Sequence, residues 1–198
     1  MRIFGTGPAF TGALLLLAGC AAQTPPAEVT RFHLGQPIAQ GEVAIEPRNP
    51  NDVRSLEFES YAGSIARELR AHGFSIAPNL PQSELVAIVD VQSASRQIGP
   101  ERSAFSIGLG GGTFGSGVGI GGGVSFPVGK KTVPLATRTD LFVQIKRRSE
   151  GTVVWEGRAR LEARDGTPYA TPSAAVNKLA MALFKDFPGE SGRTISVK

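Results

Sequence analysis

Cysteine is almost absent from this chain: Cys20 is the only one in 198 residues. A single thiol excludes an intramolecular disulfide, so packing alone must hold the fold. Histidine is nearly as scarce. His33 and His72 are the only two, with no pair at ligand spacing, and with no second thiolate a zinc centre is not expected. Capping and packing account for both. No segment reaches the roughly 18 uninterrupted apolar residues that span a bilayer, so the chain is not polytopic. Charge of one sign is not in large excess either. The balance is +4 and the basic residues are scattered, whereas nucleic acid usually wants a clustered patch. No nucleic-acid partner, metal or cofactor is expected.

What is present suits a globular domain, with 41% apolar and 19% charged residues. Residues 1–7 carry one basic side chain, Arg2, and 10–18 form an apolar core containing four consecutive leucines. That core is too short for a transmembrane helix and fits a secretory signal. It closes on Leu17-Ala18-Gly19-Cys20, which resembles the lipobox at which bacterial lipoprotein precursors are cut and lipidated. The resemblance implies that residues 1–19 leave as a signal peptide and that Cys20 is acylated on its sulfur and new amine. An ordinary signal that happens to contain a cysteine is the alternative. One acyl chain binds a membrane only marginally, at about 0.8 kcal/mol per buried methylene. The three chains implied by the resemblance would make attachment lasting. Ala21 stands where an aspartate would favour inner-membrane retention, so a Gram-negative host implies the outer membrane. Residues 20–28 form a tether whose Pro25-Pro26 favours an extended chain, with a reach of roughly 25 Å.

The remainder, residues 29–198, predicts one domain. Residues 29–34 (VTRFHL) and 41–46 (GEVAIE) suit strands, and the PRNP segment at 47–50 breaks the chain. Phe58, Tyr61, Ile65 and Leu69 make one apolar stripe, so 55–72 predicts a helix, with room for an extended lead-in over 56–58. Glu57 and Glu59 suit its positive end, Arg67 and Arg70 its negative end, and Gly73 stops it. Residues 85–91 (LVAIVDV) predict a central strand. Residues 137–147 and 152–163 predict a hairpin around a polar turn, with Trp155 on the returning strand. Thr171 as N-cap and Pro172 at the first position open a second helix, striped by Val176, Leu179, Ala180, Leu183, Phe184 and Phe187 and ended by Pro188-Gly189. Residues 195–197 add a short last strand. The expected class is α+β: two layers, a mainly antiparallel sheet with two amphipathic helices on one face.

Ten of the sixteen residues from Gly108 to Gly123 are glycine. Around them Ile107, Leu109, Val118, Ile120, Val124 and Phe126 keep a two-residue period, which predicts a glycine-rich hairpin over 105–126, turning near 110–115. A conformable surface that orders against a partner, a close-packed hairpin and a tolerated insertion all fit that composition. The segment Gly110–Gly115 matches G-x-G-x-x-G, but more glycine follows where a dinucleotide site needs a helix. Gly129-Lys130-Lys131-Thr132 lacks the first glycine of a P-loop. Ser64 has no strained elbow around it. Asp90 and Asp140 fit a carboxylate pair only if the fold brings them together, and solvent-facing strand positions explain them as well. Lys130-Lys131 and Lys146-Arg147-Arg148 suit contacts with phosphate headgroups or an acidic polymer, or simply soluble hairpin ends.

Several blocks together resemble bacterial lipoproteins of the domain of unknown function 4136 family. They are Leu17–Cys20, Ser55-Leu56-Glu57-Phe58 with Tyr61 and the helix to Gly73-Phe74, Gly151–Gly157 with Trp155, and Phe187-Pro188-Gly189. Residues 29–34 match least. The resemblance implies a periplasm-facing envelope lipoprotein without assigned catalysis, and carries over no residue but Cys20. The expected function is therefore a non-enzymatic, lipid-anchored interaction module at the outer membrane, with the membrane and an envelope protein as partners. A binding module for a small apolar or polymeric envelope ligand is the alternative, and a hydrolase ranks last.

Overall fold

A computed structural model describes residues 24–77, 83–99, 102–109 and 124–198, with the backbone alone for 102–109 and 124–132. Chain order is β1 (Ala27–His33), β2 (Glu42–Pro47), α1 (Leu56–Ala71), β3 (Ser75–Ile76), β4 (Leu85–Gln97), β5 (Arg102–Leu109), β6 (Val124–Thr132), β7 (Leu135–Arg147), β8 (Val153–Arg164), α2 (Pro172–Phe184) and β9 (Thr194–Val197). β1 starts two residues earlier than its sequence pattern suggests, which shortens the segment between Cys20 and the fold. β4 runs six residues past the apolar stretch that predicts it.

Seven strands form one sheet in the order β3-β2-β4-β7-β8-β1-β9, and β5 pairs with β6 in a separate two-stranded sheet. The α+β class stands, but the sheet is mixed. It is antiparallel from β4 through β7, β8 and β1 to β9, and parallel where β2 meets β4 and β3. A parallel neighbour requires a crossover, and α1 supplies it between β2 and β4. Side-chain parity follows from the pleat. Odd positions in the middle of β7 and β8, including Leu141, Val143, Ile145, Trp155 and Leu161, are buried on the side that α2 covers; the even positions between them face away.

α1 begins directly at Leu56, without an extended lead-in. Ser55 caps it by accepting from the Phe58 amide at 3.3 Å, satisfying one of the open amides of the first turn. Gly73 closes it at φ +85°, a conformation that costs a glycine little. Across the two helices Arg67 donates to Asn177 Oδ1 at 2.8 Å. Tyr61 is buried and donates to Glu57 Oε1 at 2.5 Å. Burial first, then the hydrogen bond and charge of Glu57, raise its phenol above the ordinary tyrosine range. The folded chain therefore keeps a proton that the unfolded chain loses near pH 10. Stability from this group is complete below about pH 10 and falls as the pH rises beyond it. In a Tyr169→Phe chain, phenolate absorbance should appear at higher pH than in the unfolded chain, and Glu57→Gln should lower that pH. Coincident folded and unfolded titrations would contradict the assignment.

α2 starts at Pro172 with Thr171 at the capping position, but the Thr171 hydroxyl donates back to the Pro168 carbonyl at 2.9 Å instead of capping. The helix ends at Phe184, and Asp186 turns the chain at φ +55°. Phe187 therefore lies beyond the helical stripe. It packs into an aromatic cluster with His72, Phe74, Trp155 and Phe184, at centroid separations of 5.2–5.9 Å. Trp155 is fully buried, stacks on Phe184 at 5.3 Å and donates its indole N–H to the Pro188 carbonyl at 3.0 Å. Its ring lies along β8 over Gly157. A Cβ there would overlap the indole and stand 2.7 Å from Leu183 Cδ1, so only glycine fits.

The C-terminus of α2 is held by Arg31, which is 3% exposed. Its Nε donates to the Leu183 carbonyl at 2.8 Å, and Nη2 to those of Ala182 and Lys185 at 2.9 Å each. These carbonyls belong to the last turn, where a helix leaves acceptors unpaired and where its dipole favours a cation. Burial lowers the pKa of this guanidinium and Asp186 opposes the shift. Gly189, at φ +80°, leaves room for it: a Cβ would stand 2.6 Å from Arg31 Cδ and Nη1.

Candidate functional site

The middle of the sheet face away from the helices is open among the described residues and carries Asp90 and Gln92 of β4 with even positions 138–142 of β7, 156–162 of β8 and 28–32 of β1. An antiparallel sheet with one solvated face alternates polar against apolar, and β8 does so plainly: Glu156, Arg158, Arg160 and Glu162 alternate with Trp155, Gly157, Ala159 and Leu161. The twist of the sheet leaves a depression of about 530 Å³ over its middle, bordered by Glu28, Arg48, Asp90, Asp140, Phe142 and Arg158 among others.

Phe142 stands at the centre of this face. The Arg48 guanidinium lies 4.2 Å from its ring centroid and that of Arg158 lies 5.4 Å away. Cations placed so are attracted by the ring's negative face. Each arginine also meets a carboxylate. Arg48 meets Asp90 at 3.8 Å, Arg158 meets Glu156 at 2.8 Å and Arg160 meets Glu28 at 2.7 Å. Arg138 grips both oxygens of Asp140 at 2.7 and 2.8 Å, and Arg96 grips Glu162 at 2.8 and 2.9 Å. The hydrogen bonds and charge of Asp140 raise the pKa of the Arg138 guanidinium. Exposed pairs of this kind contribute about 0–1 kcal/mol each to stability. The face offers alternating charge around one aromatic ring, and a partner would have to exchange ion pairs to dock.

Asp90 and Asp140 do reach one face of adjacent strands: Asp90 is opposite Phe142, and Asp140 is opposite Gln92. Each is bonded to its own arginine, so they do not form a proton-sharing dyad. Ser64 accepts from Arg67 at 3.2 Å inside α1, within a helix and not on a strand-to-helix elbow. His33 accepts from the Gly35 amide through Nδ1 at 3.1 Å, which makes Nε2 the donor to the Gly189 carbonyl at 2.9 Å. His72 stacks on Phe184 and Phe187. Both histidines are packing and capping residues, and the described residues contain no group of three His, Cys, Asp or Glu that could hold a metal. Arg148 is tied to Glu46 at 2.6 Å and to the Ser83 carbonyl at 3.1 Å, and Arg147 to Glu150 at 3.6 Å. Gly129–Thr132 lies within strand β6, so it cannot cradle a phosphate as a loop before a helix does. Cys20, Gly110–Gly115, Val118 and Ile120 lie outside the described residues.

Sequence reasoning missed Arg31, Arg48 and Phe142. Parity was the available signal: Arg31 is two residues from Val29, which makes it an inward position of β1, and Phe142 interrupts the polar positions of β7.

Comparison with known proteins agrees with the sequence blocks that lie between Ser55 and Gly189. The chain is 36% identical to an uncharacterized protein of Zymomonas mobilis, over 96% of this chain and 84% of that one. Among solved structures it is similar to a PelC variant crystallised as a dodecamer from Paraburkholderia phytofirmans (16% identity, 79% of this chain and 93% of that one, TM-score 0.42). It is also similar to a PDZ domain protein from Parabacteroides distasonis (13% identity, 87% of this chain and 39% of that one, TM-score 0.46). The family described as domain of unknown function (DUF4136) matches residues 36–189. That span runs from before β2 to Gly189 and takes in Phe74, Trp155, Phe184 and Phe187, the residues of the buried aromatic cluster. β1 and β9 fall outside it, side by side at one edge of the sheet. On this match over most of its length, the chain belongs to the DUF4136 family.

Proposed function

We propose that this protein is a non-enzymatic envelope lipoprotein, anchored through Cys20 in the outer membrane of a Gram-negative host and presenting its domain to the periplasm as an interaction module. The observation that carries the reading is Leu17-Ala18-Gly19-Cys20, closing an apolar stretch of signal-peptide length. The start of β1 at Ala27 supports it, because six residues separate Cys20 from the first strand, and two of them are the prolines Pro25 and Pro26. Such a short segment holds a domain close to its anchor. The open face supports the interaction half of the reading: Phe142 between two guanidinia is an aromatic and arginine pairing of the kind that dominates contact energies.

Cys20→Ala tests the anchor. Cells fed labelled palmitate should mark the unchanged protein, whereas the variant should stay unlabelled and keep residues 1–19 uncleaved. Equal label and equal processing in both chains would contradict the reading. A second reading, a binding module for a small apolar or polymeric envelope ligand, draws on the 530 Å³ depression. Native mass spectrometry of the chain, released gently from detergent, separates the two, since only the second expects a retained ligand.

A further inference from the structure

β5, β6 and the start of β1 lie at the same end of the sheet. Glu28 of β1 is opposite Arg160, Arg160 is opposite Asp140, and Asp140 is opposite Gln92. Beyond that level β4 runs on to Gln97, paired with Leu135, and the Ile98 amide donates to the Pro134 carbonyl at 2.9 Å. Arg102 and Thr132 then resume the pairing as β5 and β6. The hairpin thus prolongs the β4–β7 pair from the end at which the chain enters at Ala27.

The hairpin's register divides it into two unlike faces. Phe105 is opposite Val128, Ile107 opposite Phe126 and Leu109 opposite Val124. Three apolar pairs therefore share one face. Between them Ser106 is opposite Pro127 and Gly108 opposite Ser125, so the other face is small and polar. Among the described strands, β5 and β6 pair only with each other. A lone two-stranded hairpin is marginal in water, and one with an apolar face needs something to cover it.

Chain length says what that is. Cys20 lies seven residues before Ala27, which is at most about 25 Å of extended chain. The eight residues of β5 span roughly 26 Å, starting from a point already beyond Ala27. With Cys20 in the membrane, the tether keeps the Ala27 end of the sheet within about 25 Å of the bilayer, a distance that the hairpin is long enough to span. Charge agrees: from Arg102 to Thr139 there is no acidic residue, while Arg102, Lys130 and Lys131 lie at the hairpin's base. Basic residues beside an apolar surface suit anionic headgroups. The unpaired outer edges of a two-stranded hairpin are not tolerated in hydrocarbon, so the contact belongs to the interface.

We propose that the β5–β6 hairpin is a second, non-covalent contact with the bilayer, made by the face carrying positions 105, 107, 109, 124, 126 and 128. This rests on the reading of Cys20 as the acylated anchor, and its role is to fix the orientation of a domain that the lipid alone would leave free to swing.

The test uses the full chain, processed in cells, purified in detergent and reconstituted into vesicles of phosphatidylethanolamine and phosphatidylglycerol. Acylation removes the only thiol, so the unsubstituted chain should take up no thiol-reactive fluorophore. If it labels, the anchor reading fails, and this inference fails with it. Ile107→Cys, Gly108→Cys, Ser125→Cys and Phe126→Cys each then provide one labelling site, and unchanged Trp155 emission checks the fold. Because alternate positions face opposite sides, quenching by nitroxide lipids should be roughly twofold or more stronger at 107 and 126 than at 108 and 125. Equal or absent quenching at all four positions overturns the hairpin contact while leaving the anchor intact. So does a pattern in which 107 and 126 are shielded from water yet untouched by lipid nitroxides, because protein would then cover that face.

Discussion

Trp155→Ala should lower the unfolding free energy by about 3–5 kcal/mol, the usual cost of deleting a buried indole. The side chain is fully buried and lies within 5.2–5.3 Å of the Phe184 and Phe187 rings. Alanine would leave a cavity bounded by β8 and α2, and Gly157 beside it has no side chain to help fill the space. The loss also frees the Pro188 carbonyl from its indole partner. Against a typical total of about 5–15 kcal/mol, the variant keeps little margin. Trp155→Phe separates the two contributions. It retains a ring for the stack and removes the N–H, and should cost about 1–2 kcal/mol for the unpaired carbonyl with a further amount for lost volume. Urea unfolding followed by circular dichroism measures both variants, since neither retains tryptophan emission. A loss under about 1 kcal/mol for Trp155→Ala would mean that the cluster does not hold α2 to the sheet.

Arg31→Met should be comparably severe, with an expected loss of about 3–5 kcal/mol. Methionine fills much of the same volume but leaves the carbonyls of Ala182, Leu183 and Lys185 without their donor in a buried site. Hydrogen bonds to a charged group are worth about 1.5–3 kcal/mol each, and unpaired buried acceptors cost about 1–3 kcal/mol each. Arg31→Lys should recover only part of the loss, because an ammonium is a point charge and cannot match the planar fork that meets three carbonyls. Hydrogen exchange gives the more specific readout: amides of the last turn of α2 should lose protection before those of β7 and β8. Uniform loss across the domain would show that Arg31 is not a local cap.

How much of this was legible in the sequence depends on the range of the interaction. Local signals were reliable. The stripe of Phe58, Tyr61, Ile65 and Leu69 gave α1, Gly73 closed it, and the alternation around Trp155 gave β8 and its hairpin with β7. The parallel β2–β4 pair was not legible, because strand neighbours across a helical crossover are chosen by packing of α1 and not by any residue of β2. Thr171 shows a similar limit: its residue type suits a cap, yet its hydroxyl is engaged by the preceding turn. The role of Arg31 needs both ends of the chain, β1 and the end of α2, more than 150 residues apart. Asp90 and Asp140 show the opposite case. Their exposed positions were foreseen, but only the register put them on one face and only the arginines decided that they act as ion-pair partners.

The central claim is that Cys20 joins this domain to a membrane, and the mass of the mature N-terminus tests it most directly. Protein extracted from the membrane fraction should begin at Cys20 and exceed the mass of residues 20–198 by a diacylglyceryl group and one further acyl chain. The whole excess should map to the fragment that contains Cys20. A mature chain that begins elsewhere, or one that begins at Cys20 with an unmodified thiol, would contradict the account.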